Sequence, residues 1–172
     1  MELLWKEPRG GHSLRMWYDY FPNAQLHAFD IVAINHLEND RTKVFNGDEG
    51  NRQDLQSAID KFGGNFDFIL EDGSHHPNHQ QISFGYLFKY VKSGGIFIIE
   101  DILNPAYTEH HQWKYLKNES TALMLQSFKD NGKINSEFMT DYEIGYLNNN
   151  IKSIDILPDC TSRFLVGIIK KC

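Results

Sequence analysis

Cysteine is scarce: Cys160 and Cys172 are the two in the chain. They fit no metal-binding spacing and no disulfide framework, which agrees with a reducing, cytoplasmic compartment. Basic runs are missing, and 17 Lys and Arg against 23 Asp and Glu leave a formal charge of -6. A surface of that sign repels a phosphate backbone, so no nucleic-acid partner is expected. Long apolar runs are absent as well. Apolar stretches such as 66–70 and 96–99 fall far short of the roughly 20 residues that cross a bilayer, and the N-terminus has no signal-peptide pattern, so no membrane partner is expected. No internal repeat, low-complexity tract or linker divides the chain, and residues 1–172 are expected to form a single domain.

What is present is a folded composition, 41% hydrophobic and 13% aromatic, in a chain long enough to remove roughly 70% of its unfolded surface from water. Strand and helix patterns alternate. A helix is expected over 13–20 with Ser13 as N-cap, a strand over 25–30, a short strand over 42–45 and a helix over 52–62. The last places Leu55, Ala58, Ile59 and Phe62 on one face. An apolar strand over 66–70, a helix over 82–92 and an apolar strand over 96–99 form a strand, helix, strand unit. A further helix is expected over 121–129, and two closing strands over 151–157 and 164–170 are near enough to pair as a hairpin. That hairpin would put an antiparallel strand at one edge of an otherwise parallel sheet. The expected fold class is α/β, a three-layer sandwich on a mostly parallel, Rossmann-like sheet with an antiparallel C-terminal hairpin.

The strands end in acid. Phe66-Asp67-Phe68-Ile69-Leu70 runs into Glu71-Asp72-Gly73-Ser74-His75-His76-Pro77-Asn78-His79, and Ile96-Phe97-Ile98-Ile99 into Glu100-Asp101. Strands connected through one crossover are parallel, so Asp72, Glu100 and Asp101 emerge on the same edge of the sheet, where ligands bind. Carboxylates gathered in this way repel one another unless they share a proton or a cation, and oxygen donors suit Mg²⁺, Ca²⁺ or Mn²⁺. The plainer alternative is that these acids cap the helices that follow. Asp30 and Asp48 end earlier strands, where an acid meets ribose hydroxyls and the next one reaches a nucleobase. A solvated strand end explains either one alone.

These residues carry a resemblance. Gly10-Gly11-His12-Ser13-Leu14-Arg15-Met16-Trp17, Tyr20-Phe21-Pro22-Asn23, Phe29-Asp30-Ile31, Gly47-Asp48, Asp72-Gly73-Ser74-His75 with His79, and Gly94-Gly95-Ile96 with Ile99-Glu100-Asp101 resemble the macrocin and mycinamicin O-methyltransferase family. That family, sometimes labelled cephalosporin-hydroxylase-like, consists of class I methyltransferases that use S-adenosylmethionine.

The resemblance implies that Asp72, Glu100 and Asp101 hold a divalent metal, usually Mg²⁺. It implies His75 as general base beside Asp72 in the catalytic site, with His79 as a second histidine of the box. It assigns Gly10, Gly11, Ser13, Asp30 and Asp48 to cofactor binding, Asp30 on the ribose and Asp48 near the adenine. The acceptor it implies is a hydroxyl of a sugar or a glycosylated natural product. Tyr107, Trp113 and Tyr115 could stack on such an acceptor, and His110 and His111 stand in the same stretch, although a surface pair is the simpler reading of the two histidines.

The family opens with a strand ending in a Glu-x-Gly loop, and residues 1–9 contain none. Residues 1–5 are therefore expected to supply a shortened first strand, or a second copy to cover the gap in a homo-oligomer. A truncated, non-catalytic binding or assembly module is the alternative from another functional class.

Overall fold

The computed structural model describes residues 10–108 and 120–172. The expectations for residues 1–5, and those for His110, His111, Trp113 and Tyr115, lie outside the described residues. The chain divides into two compact units, one ending at Gly63 and the other beginning at Gly64.

Among the described residues, the first helix of the first unit is α1 (His12–Tyr20). Strand β1 (Leu26–Asp30) and strand β2 (Thr42–Asn46) then pair in parallel, Asp30 opposite Asn46. Helix α2 (Arg52–Phe62) follows, its first turn capped by the Asn51 side chain, which accepts from the Gln53 N–H, and its end marked by Gly63 at φ 84°. Leu55, Ala58 and Ile59 are buried, as is Val44 of β2, while Phe62 stacks on His27 at 5.0 Å between ring centroids. The expected face of this helix is the observed one.

Ser13 is not the N-cap of α1. Gly11 holds that position at φ 74°, and no side chain caps the turn. Glycine adopts this left-handed conformation at little cost. A Cβ there would come within 2.2 Å of Leu37 Cδ1, so a side chain at this site would also force Leu37 to move.

The second unit is built on a four-stranded sheet in the order β3 (Phe66–Glu71), β4 (Val91–Leu103), β6 (Phe164–Lys171), β5 (Ile151–Pro158). β3 and β4 are parallel, and helix α3 (Pro77–Leu87) connects them. β6 is antiparallel to both of its neighbours. The closing hairpin is as expected, but its antiparallel strand lies inside the sheet and β5 takes the edge. A tight hairpin fixes only that β5 and β6 pair, and β6 carries the more buried row to set against β4.

α3 spans Pro77–Leu87 rather than 82–92. Proline supplies a preset φ and lacks the N–H that a first turn leaves unpaired, so Pro77 starts the helix. The chain is already extended at Val91.

A short helix α4 (Pro105–Thr108) follows β4, and helix α5 (Thr121–Asn131) agrees with expectation. Helix α6 (Asp141–Asn150) was not foreseen. Its signature was legible, however: Thr140 accepts from the Glu143 N–H while the Glu143 carboxylate accepts from the Thr140 N–H, a capping box. The core of this unit joins these helices to one face of the sheet. Phe84, Phe88 and Phe97 meet edge-on or tilted, Phe84 to Phe97 at 5.1 Å, and Leu125, Leu147, Ile154 and Ile169 fill in around them. Gly167 is required here, because a Cβ would sit 2.7 Å from Leu125 Cδ1.

A lysine is buried in this unit. Lys171 is 6% exposed, and its ammonium donates to the carbonyls of Phe88, Lys89 and Val91 at 3.2, 3.0 and 2.7 Å. Three acceptors match its three protons.

Candidate functional site

In the first unit, the two strand ends bring Asp30 and Asp48 out on one edge. The Asp30 carboxylate accepts from the Val32 N–H, and its carbonyl accepts from the Gly47 N–H. Asp48 accepts from the Gly50 N–H, and its own N–H is held by the Asp54 carboxylate at 2.9 Å. Both acids are half-buried. Gly10, at φ 94°, passes so close to Asp30 that a Cβ would stand 3.9 Å from its Oδ2 and 3.1 Å from Ile34. Gly10, Gly11 and Asp30 are thus neighbours, whereas Ser13 lies exposed on α1.

In the second unit, the turn after β3 and the end of β4 converge. Asp72, His75 and Asp101 each offer a ligand atom, and these atoms lie within 4.8 Å of one another. His75 Nε2 is 3.3 Å from Asp72 Oδ1, and its Nδ1 is 3.5 Å from Asp101 Oδ2. A protonated ring can donate to both carboxylates, a neutral ring to only one. His75 and Asp101 have φ of 60° and 47°, left-handed values that His and Asp adopt more readily than most residues. Strained backbone of this kind is common where a site is built.

Glu100 is half-buried beside them. Burial first, then the charges of Asp72 and Asp101, push its carboxyl above the ordinary carboxylate range, with His75 pulling the other way. The carboxylates are thus close enough to repel. Two acids and one imidazole, with Glu100 beside them, offer an oxygen-rich donor set suited to Mg²⁺ or Mn²⁺. His75, expected as a base, stands among the ligand atoms, while Glu100, expected as a ligand, is coupled to the group but outside that 4.8 Å set.

The histidine box has its own order. Ser74 Oγ and His79 Nδ1 are 2.9 Å apart, and the His76 N–H donates to Ser74 Oγ. His76 is exposed, and His79 braces the turn. Sequence reasoning overlooked Glu71 and Gln80. Glu71 is buried and accepts from the Gly73 N–H, and Gln80 is fully buried against Glu100. For Glu71 the available signal was its place beside Asp72 in the acidic strand end.

The geometry has counterparts in known proteins. The mycinamicin VI 2''-O-methyltransferase of Micromonospora griseorubida is 37% identical over 99 residues, 57% of this chain and 25% of that protein. The demethylmacrocin O-methyltransferase of Streptomyces fradiae is 37% identical over 93 residues, 54% of this chain and 23% of that protein. A solved structure of the MycE methyltransferase from the mycinamycin biosynthetic pathway, in complex with Mg, SAH and mycinamycin VI, superposes with a TM-score of 0.73 at 27% identity. That match covers 97% of this chain and 42% of MycE.

This chain resembles the macrocin and mycinamicin O-methyltransferases. It has the methyltransferase fold, mixed α/β with parallel pairing and antiparallel closing strands. It spans about a quarter of the length of the curated relatives it matches. No protein-family model matches it. Among the described residues, no helix is long and apolar enough to cross a membrane.

Proposed function

We propose that the chain is the catalytic part of an S-adenosylmethionine- and divalent-metal-dependent O-methyltransferase acting on a hydroxyl of a sugar or glycosylated natural product. The observation that carries this reading is the convergence of Asp72, His75 and Asp101 with Glu100 at the ends of two parallel strands. Similarity to enzymes named for methylating mycinamicin VI and demethylmacrocin supports the acceptor class. The MycE complex with Mg and SAH supports the cofactors. Residues 1–172 are read as one functional domain.

Asp72, Glu100 and Asp101 are the residues assigned to the metal. Asp30 and Asp48, with Gly10, Gly11 and Ser13, are assigned to S-adenosylmethionine. When bound, S-adenosylmethionine supplies the methyl group and the divalent ion lowers the pKa of the acceptor hydroxyl. His75 takes the hydroxyl proton. A sugar hydroxyl is far too weak an acid to ionise unaided near neutrality, so general base catalysis contributes about 10²- to 10⁴-fold. In the neutral ring that acts as base, one nitrogen donates to a single carboxylate, Asp72 or Asp101, which holds the imidazole in orientation and leaves the other nitrogen to accept the proton. The left-handed Asp101 turns its carboxylate toward that ring.

The test is transfer of labelled methyl from S-adenosylmethionine to a deoxysugar-bearing macrolide, with and without Mg²⁺. Label in the acceptor that disappears with chelator supports the reading. Release of sugar or phosphate without S-adenosylmethionine would point to a hydrolase instead.

A further inference from the structure

Gln80 is a fully buried polar side chain, 0% exposed, in the helix that follows the histidine box. Its Nε2 donates to the backbone carbonyl of Glu100 at 3.0 Å, and its own N–H donates to the His76 carbonyl at 2.9 Å. No donor among the described residues reaches its Oε1. A buried amide left half-satisfied is worse for packing than an apolar side chain of the same length. The contact with Glu100 gives the amide a purpose.

That carbonyl lies where β4 breaks its register. Ile99 faces Gly167 of β6 and Ile102 faces Leu165, so Glu100 and Asp101 together oppose Val166. This is a β-bulge, a local change that re-aims side chains. In a regular strand, Glu100 and Asp101 would point to opposite faces. The bulge, with Asp101 at φ 47°, sets that alternation aside. A backbone carbonyl displaced in this way needs a donor, and Gln80 is the donor.

We propose that Gln80 is a positioning residue: by holding the Glu100 carbonyl, it fixes the bulge that presents Glu100 and Asp101 to the metal. The inference rests on the metal reading above. It also joins the two acidic strand ends mechanically, since α3 begins in the turn that carries Asp72 and His75.

The test is Mn²⁺ binding to the full chain, followed by electron paramagnetic resonance, for the parent, Gln80→Met and Gln81→Met. Gln81 is the buried neighbour whose Oε1 accepts from Ser136 Oγ at 2.6 Å, away from the acids. Gln80→Met is expected to weaken Mn²⁺ binding on the order of 10- to 100-fold, the usual effect of losing a residue that orients a ligand. Gln81→Met is expected to lower the melting temperature and leave Mn²⁺ affinity unchanged. Unchanged affinity in Gln80→Met, or an equal loss in Gln81→Met, would overturn the proposal.

Absence of binding in the parent would overturn the metal reading itself, and this inference with it. If Gln80→Met does not fold, the parent decides by NMR. The Gln80 side-chain amide resonances should then shift with the same Mg²⁺ midpoint as the Asp101 backbone amide, and their failure to shift would overturn the proposal.

Discussion

His75 Nδ1 stands 3.5 Å from Oδ2 of Asp101, and both residues hold left-handed backbone. The contact joins a turn after one strand to the end of the next, which makes the acidic cluster a built feature of the sheet edge. Its members can therefore be varied one at a time.

Asp101→Asn keeps the shape and tolerates the φ of 47°, since Asn visits this region readily. It removes one charged oxygen. Mg²⁺ affinity is expected to fall at least about tenfold, and Asp72→Asn should behave alike. Without metal, both variants are expected to melt at or a few degrees above the parent temperature, because like-charge repulsion is relieved. A clear loss of metal-free stability in both would make the acids structural, and calorimetric melting with chelator decides.

Glu100 should give stability a pH signature. Its carboxyl is raised in the folded protein by burial and by Asp72 and Asp101. The folded state therefore binds this proton more tightly than the unfolded chain does. Its stabilising contribution is full below the ordinary value of 4.5 and is lost as pH rises from there through the raised value. Melting temperatures of the parent minus those of Glu100→Gln, measured without metal, are expected to decline across that window. A flat difference would contradict the described surroundings of Glu100.

For His75, the expected signature is kinetic. His75→Asn should lower methyl transfer about 10²- to 10⁴-fold while S-adenosylmethionine affinity stays within a factor of about two and Mn²⁺ affinity within about tenfold. Loss of Mn²⁺ binding in step with turnover would make the imidazole a ligand rather than a base.

Lys171→Met tests the core of the second unit apart from any ligand. The change strips donors from the carbonyls of Phe88, Lys89 and Val91. Buried groups left unpaired cost roughly 1–3 kcal/mol, so the melting temperature is expected to fall by about 5 °C, with Mg²⁺ affinity unchanged. An unaltered melting temperature would mean water replaces the ammonium.

Much of this was legible in the chain. Apolar runs that stop in acid located β3, β4 and the cluster, because strand length and the parallel crossover rule leave few other placements. The helix face of Leu55, Ala58 and Ile59 was equally readable from its spacing. α6 was overlooked because Tyr142, Ile144, Tyr146 and Leu147 are diluted by Asn148, Asn149 and Asn150, which bond their own helix and neighbouring backbone instead of breaking the turn. Gln80 was overlooked because burial of an amide depends on a bulge in another strand, which no local pattern records.

The central claim is that the chain binds S-adenosylmethionine and a divalent ion together. The most direct measurement is titration calorimetry with S-adenosylhomocysteine in the presence of Mg²⁺, paired with a thermal shift. The prediction is saturable 1:1 binding and a raised melting temperature, both lost in Asp30→Ala. No heat and no thermal shift at millimolar ligand would contradict it.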